Sequence, residues 1–305
     1  MSGATAAEFT SDGRPVPAAL IGDLIDSSEL LTNPDGLRAS LQENGYLLLR
    51  AAIDPDTALA ARREVLAQLA AVGEIDMPGE TFSGNSRRPT GAPDAGEFLR
   101  AVCDGPQLRT ATSCPNLQYI ISTVFGEPAR SHDYIFLRVA IAGRGTAAHC
   151  DYPFFTRATE RVLTCWLGLS DLSVEQDSLY VVEGSHRWKD HISAMRGFDL
   201  ERAEGKRRAT LADNIIRFAE AHRARLLTTR FGAGDILLFS MYLIHGAFDN
   251  RAPGKLVRVS CDVRWQPASE PFDPRYMAPD LSGTFGGGYG ELNAAKPLTE
   301  GWHKR

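Results

Sequence analysis

The chain has 305 residues, 43% of them hydrophobic, and a formal net charge of −5. That is enough apolar material for a substantial core, and an acidic balance with only short basic clusters (RRPT at 87–90, GKRR at 205–208) argues against a nucleic-acid surface. No apolar run approaches the roughly 18 residues of a membrane span, and the opening MSGATAAEFTSDGRPVP lacks a charged-then-apolar leader pattern. Residues 1–17 therefore read as a loose tail and the whole chain, 1–305, as one cytoplasmic domain. The cysteines, scattered at 103, 114, 150, 165 and 261, make neither a disulfide framework nor a zinc pattern, as expected of a reduced protein.

In chain order, the first helix runs from Pro34 to Glu43, capped by Asn33 and ended near Gly45. Tyr46 to Arg50 reads as a strand. A second helix starts with Asp54 as N-cap and Pro55 in its first turn and continues to Gly73. The Gly-, Pro- and Ser-rich stretch 76–95 reads as a long loop and lid candidate. Helical segments follow at Glu97 to Val102 and around Asn116 to Phe125. The pattern then turns to strands: Tyr134 to Ile141, Arg161 to Leu169, Leu179 to Val182, Ile236 to Phe239 and Leu256 to Trp265. Short strands bounded by turn residues point to a sandwich or barrel, mainly β with flanking helices. The charged, alanine-rich stretch near 189–225 reads as a helical insertion that can cover a site, and 271–305 as an irregular C-terminal segment.

Two segments carry the chemistry: GTAAHCDYPFF, containing His149 and Asp151, and DILLFSMYLIHGAFDN, containing His245. His-x-Asp on an extended segment puts an imidazole and a carboxylate on one face, because strand side chains alternate with period two. A second imidazole from a distant strand completes a two-nitrogen, one-oxygen face with three positions left open, the arrangement a non-haem Fe(II) oxygenase requires. Thirteen residues past His245, Arg258 shares a strand face with Ser260, Asp262 and Arg264, while Val257, Val259, Cys261, Val263 and Trp265 fall on the other. An inward Arg258 can hold a dicarboxylate with its planar fork, and Ser260 is a candidate donor to the same carboxylate. A solvated sheet face would give the same alternation. Arg264 reads equally as a contact behind the site, a substrate contact or a surface ion pair. The turn Asp249 to Gly254 is short, so the strand carrying His245 and the strand carrying Arg258 are expected to pair as a hairpin.

From roughly Glu43 to Gln266 the sequence resembles the phytanoyl-CoA dioxygenase family of Fe(II)- and 2-oxoglutarate-dependent oxygenases. The resemblance is carried by QENGYLLLRAAIDPD, LRVAIAGRGTAAHCDYPFF, TCWLGL, LYVVEGSHRW, HGAFDN and VRVSCDVRW. It implies a double-stranded β-helix (jelly-roll, cupin-like) core. It also implies His149, Asp151 and His245 as iron ligands, Arg258 on the distal carboxylate of 2-oxoglutarate, and Trp166 lining the co-substrate pocket. The spacing from His245 to Arg258 is a little longer than is common in the family. Arg251, six residues past His245, is the alternative anchor, but it sits in a Pro/Gly turn. The implied reaction consumes 2-oxoglutarate and O2, oxidises a small-molecule metabolite or biosynthetic intermediate, most simply by hydroxylation, and releases succinate and CO2. Asp151 sets the chain apart from related halogenases, which carry Gly or Ala there.

Other readings are weaker. His186 in VVEGSHRW follows a strand in a Gly-Ser turn and reads as structural, and no G-x-S-x-G accompanies it. GTFGGGYG at 283–290 lacks the Lys-Ser/Thr of a nucleotide loop. Arg87, Arg88 and Arg157 are candidates for attracting an anionic substrate. A jelly-roll isomerase or lyase using no 2-oxoglutarate, a non-catalytic binding barrel and a zinc hydrolase are the competing classes. The hydrolase leaves Arg258 without a role. The pattern implies a small-molecule substrate, no nucleic-acid or membrane partner, and assigns no oligomeric state.

Overall fold

The computed structural model describes residues 9–85, 87, 95–155, 157–173, 175–176, 178–200, 209–212 and 214–277. It opens with a small hairpin, β1 (Thr10–Ser11) against β2 (Arg14–Pro15), then β3 (Ile21–Asp23), α1 (Pro34–Asn44), β4 (Tyr46–Leu49) and α2 (Pro55–Ala71). A second hairpin, β5 (Ile75–Asp76) and β6 (Thr81–Phe82), leads into α3 (Ala95–Cys103), α4 (Pro106–Thr112) and α5 (Pro115–Phe125). Then come β7 (Ala129–Ala140), β8 (Thr146–His149), β9 (Leu163–Gly168), β10 (Leu179–Val182), α6 (Lys189–Met195), α7 (Ile215–His222), β11 (Leu226–Thr228), β12 (Ile236–Ser240), β13 (His245–Ala247) and β14 (Arg258–Pro267).

Two five-stranded sheets dominate, a major one ordered β4-β12-β9-β14-β7 and a minor one ordered β3-β11-β10-β13-β8. Pairing is antiparallel except between β3 and β11. Period-two alternation divides the major sheet into two apolar faces. Leu47, Leu49, Ile236, Leu238, Cys165, Leu167, Val259, Cys261, Val263 and Trp265 pack on the apolar faces of the helices, chiefly through Leu37, Val65, Leu66, Leu69, Leu108, Leu117 and Ile121. Their neighbours Tyr46, Leu48, Trp166, Leu237 and Phe239 turn the other way and meet Leu179, Val181 and Leu227 of the minor sheet. The fold is a jelly roll backed by helices on one side.

Local signals explain most boundaries. Asn33 accepts a hydrogen bond from the Gly36 N–H, and Gly45 ends α1 at φ 79°, a left-handed conformation that suits glycine. Asp54 occupies the N-cap of α2, but its carboxylate takes the Thr57 hydroxyl and not a backbone N–H. Two sequence expectations are corrected, and one helix is added to them. Residues 9–17 are not loose: Asp12 and Gly13 donate their N–H groups to the Asp249 carboxylate, fixing the first hairpin. Helix α4, opened by Pro106, was not anticipated. Most consequentially, β13 and β14 do not form a hairpin; they lie in different sheets. The connecting segment folds over a short turn at Pro253–Lys255, and the Asn250 amide bonds the carbonyls of Ala140 and Leu256, carrying the chain across the sandwich.

The stretch between β10 and β11 contributes α6 and α7, and it is fastened to the segment following His149. Arg157 pairs with Asp199 (2.7 Å), Leu200 N–H donates to Pro153, and Leu211 N–H donates to Ala148. Arg157 is thus an ion-pair partner within the fold. Arg88 and 283–290 lie outside the described residues. Among the described residues no helix is long and apolar enough to cross a membrane.

Candidate metal centre

Strand β8 is the outer strand of the minor sheet, and its last residue, His149, lies directly opposite His245, the first residue of β13. A register shift between the two strands, a β-bulge, separates this pair from Thr146 and Ala247. Gly246 permits the close approach: a Cβ there would sit 2.5 Å from the Tyr180 hydroxyl and 2.7 Å from the Thr146 carbonyl. The two imidazoles come together with ring centroids 4.3 Å apart. Asp151 follows two residues after His149, fully buried, at the start of a short 3-10 turn, Tyr152–Phe154.

Hydrogen bonds orient all three side chains. Nδ1 of His149 lies 2.8 Å from the Ala147 carbonyl and Nδ1 of His245 lies 3.1 Å from that of Leu243. A carbonyl only accepts, so each Nδ1 carries a proton, which leaves Nε2 as the atom of each ring that can face a metal. Those Nε2 atoms lie 3.8 and 3.9 Å from Oδ1 of Asp151. The other carboxylate oxygen, Oδ2, accepts from the Arg264 guanidinium at 2.9 Å and from the Thr164 hydroxyl. Oδ1 is buried and accepts no hydrogen bond. The three ligand atoms lie within 4.8 Å of one another.

A buried carboxylate oxygen without a hydrogen-bond donor, facing two imidazole Nε2 atoms, is costly until a cation neutralises it. The donor set, two imidazole nitrogens and one carboxylate oxygen, suits a divalent transition metal. Protonation states agree. Burial, reinforced by His245, pushes His149 down to about 3, so its lone pair is available at neutral pH. Burial alone would raise the Asp151 carboxyl; Arg264, the two imidazoles and the Thr164 hydroxyl outweigh it and hold the group below the ordinary carboxylate range.

The remaining sequence candidates lie on the inner face of the major sheet. All ten residues of β14 are buried, which removes the solvated-face reading of its alternation. Arg258 is 3% exposed and donates to the Ser260 hydroxyl, whereas Arg251 is exposed. Trp166 is buried opposite Asp262 and Leu237 and packs on Phe231 at 4.6 Å. His186 donates to or accepts nothing in this cluster: it bonds the Gln42 carbonyl, a structural role as the sequence suggested. Two residues were underread. Thr164 and Arg264, paired across β9 and β14, bind Asp151 directly. Their signal was present in the alternation: Thr164 shares its strand face with Trp166, and Arg264 shares its face with Arg258.

A further buried imidazole stands beside this centre. His132 is 3% exposed, bonds Gln266 at 3.1 Å and stacks on Tyr276 at 5.6 Å. Burial, only partly offset by the Gln266 bond, pushes it down to about 4 from an ordinary 6.5. Between those values the unfolded chain takes up a proton that the folded protein does not, so stability is full above about 6.5 and falls as pH drops towards 4. Urea denaturation of metal-free protein at pH 7.5 and 5.0 should show this. His132→Gln is expected to reduce the loss between the two pH values by about 2 kcal/mol relative to wild type. An unchanged difference would refute the assignment.

Sequence comparison agrees with this architecture. The chain is 24% identical over 272 residues to the 1-deoxypentalenic acid 11-beta-hydroxylase of Streptomyces exfoliatus, covering 82% of this chain and 87% of that protein. The corresponding hydroxylase of Streptomyces arenae is 24% identical over 268 residues, covering 81% and 86%. Among solved structures, the non-haem α-ketoglutarate-dependent carbocyclase SnoK from nogalamycin biosynthesis shares the fold at TM-score 0.54 and 20% identity, over 85% of this chain and 93% of that one. The epimerase SnoN from the same biosynthesis does so at TM-score 0.53 and 17% identity, over 81% and 88%. The sequence model of the phytanoyl-CoA dioxygenase (PhyH) family matches residues 41–258, so the chain belongs to that family and is a non-haem Fe(II)- and 2-oxoglutarate-dependent dioxygenase.

Proposed function

We propose that His149, Asp151 and His245 hold the Fe(II), that Arg258 with Ser260 anchors the far carboxylate of 2-oxoglutarate, and that Trp166 lines the co-substrate pocket. The observation that carries this reading is the donor-free Oδ1 of Asp151 facing the two imidazole Nε2 atoms. The oxidised partner is a small-molecule metabolite, and the outcome is hydroxylation. Support for the outcome comes from Asp151 itself, whose carboxylate occupies the position that halogenases give to halide, and from the relatedness to two Streptomyces hydroxylases. The five free cysteines fit a reducing cytoplasm.

When bound, iron with 2-oxoglutarate and O2 supplies the oxidation, the co-substrate leaving as succinate and CO2. The chain's own residues place the reactants. The two Nδ1–H···O=C bonds fix the imidazole planes, and Thr164 and Arg264 fix the carboxylate. Arg258 is suited to its part because its planar guanidinium matches a carboxylate bidentately. Aromatic side chains behind the ligands, Phe136, Phe155 and Tyr276 among them, keep water from the Asp151 side of the centre.

The test is succinate release on exposure to air by protein loaded anaerobically with Fe(II) and given 2-oxoglutarate. Slow release is expected from the wild type, faster with the true substrate, and none from His149→Ala. Iron binding without succinate, even with mixtures of candidate metabolites, would sink the proposal.

A further inference from the structure

We infer that Arg264, acting with Thr164, is a positioning residue that confines Asp151 to one-oxygen ligation and so preserves the coordination positions that co-substrate and O2 need. The inference rests on the proposed iron-ligand roles. A carboxylate can offer a metal one oxygen or both, and a second oxygen on the metal would occupy one of the three open positions. Here the two oxygens are already divided. Oδ2 is committed to Arg264 at 2.9 Å and to Thr164, while Oδ1 has no donor and faces the imidazoles.

The clamp has little freedom to relax. Arg264 and Thr164 are register partners on adjacent strands in the middle of the major sheet. Arg264 is 1% exposed, and its guanidinium carbon lies 4.3 Å from the Phe136 ring centroid and 4.8 Å from that of Phe155. Two aromatic rings against a planar cation fix its orientation as well as its charge. On its far side the guanidinium comes within 3.9 Å of Asp262, which Arg138 also engages at 3.1 Å. Were Arg264 present only to balance the charge of Asp151, a lysine would serve. If it sets the ligation mode, lysine fails, because it offers neither the stack nor the fork.

Binding of Co(II) to the 305-residue chain separates these roles, since its visible spectrum reports coordination before and after 2-oxoglutarate is added. In Thr164→Val and Arg264→Lys, Co(II) is expected to bind with a spectrum already altered before 2-oxoglutarate. The 2-oxoglutarate needed for half of the further spectral change should rise about 10- to 100-fold. Arg258→Ala should raise that requirement too, yet leave the initial spectrum as in wild type. Thr164→Val removes one hydroxyl without changing side-chain shape, so the test survives any failure of an Arg264 variant to fold. Wild-type spectra and 2-oxoglutarate dependence in both Thr164→Val and Arg264→Lys would overturn the positioning role alone. A spectrum unaffected by His149→Ala would overturn the ligand assignment and the inference with it.

Discussion

Asp151→Ala is expected to abolish succinate formation and also to lower the stability of the metal-free protein by about 3–5 kcal/mol, because it takes from the buried Arg264 guanidinium its 2.9 Å carboxylate partner, the Asp262 carboxylate lying farther off at 3.9 Å. Arg264 is as buried as the carboxylate it serves, and its side chain cannot reach water without displacing Phe136 or Phe155. His149→Ala removes a proposed ligand whose imidazole burial keeps neutral at neutral pH, so it should match the loss of turnover at a much smaller stability cost. Urea denaturation at neutral pH, run beside the turnover assay, distinguishes the two. Adding Arg264→Met to Asp151→Ala should recover most of the lost stability and none of the activity. If Asp151→Ala were as stable as wild type, the ion pair would contribute nothing to the fold and the electrostatic account of the site would be wrong.

The second large effect is expected at Arg258. Truncating one partner of a buried, hydrogen-bonded charge pair costs about 2–5 kcal/mol. At about 1.4 kcal/mol per tenfold, the 2-oxoglutarate concentration giving half-maximal succinate formation should rise roughly 100-fold in Arg258→Ala. Ser260→Ala should show a smaller shift in the same direction. Arg251→Ala is the control: its exposed position predicts an unchanged 2-oxoglutarate dependence. Reversal of the two arginine results would transfer the anchor to Arg251.

How much of this was legible beforehand follows from the range of each signal. Alternation is local and survived intact: the split of Arg258, Ser260, Asp262 and Arg264 from Val259, Cys261, Val263 and Trp265 is the split between the barrel interior and the helix-packed core. Leu179–Val182 was bounded correctly because a Ser and a Glu-Gly flank an apolar run. Pairing is not local, and there the reading failed. A short connection between two strands favours a hairpin, yet here it carries the chain between sheets, held by Asn250 amide bonds to two separate segments. Arg264 was ambiguous for a related reason. Its strand face was evident, but whether that face met solvent or a carboxylate depended on a second sheet whose position no period-two pattern encodes.

The placement of β8 has a thermodynamic corollary. It lies at an edge of the minor sheet, and on its free side it meets the bridge at Thr210 and the Leu211–Ala148 bond. An outermost strand of four residues belongs to the part of a fold that opens first. Yet it carries His149, with Asp151 just beyond it, and a metal held as proposed by these two residues and His245 would tie it to the strand inside. Each increment of ligation free energy is therefore also an increment against local opening of that margin. On the proposed ligation, loading the metal and closing this sheet edge would be one equilibrium, and the ion that equips the protein for oxidation would also hold an edge strand in place.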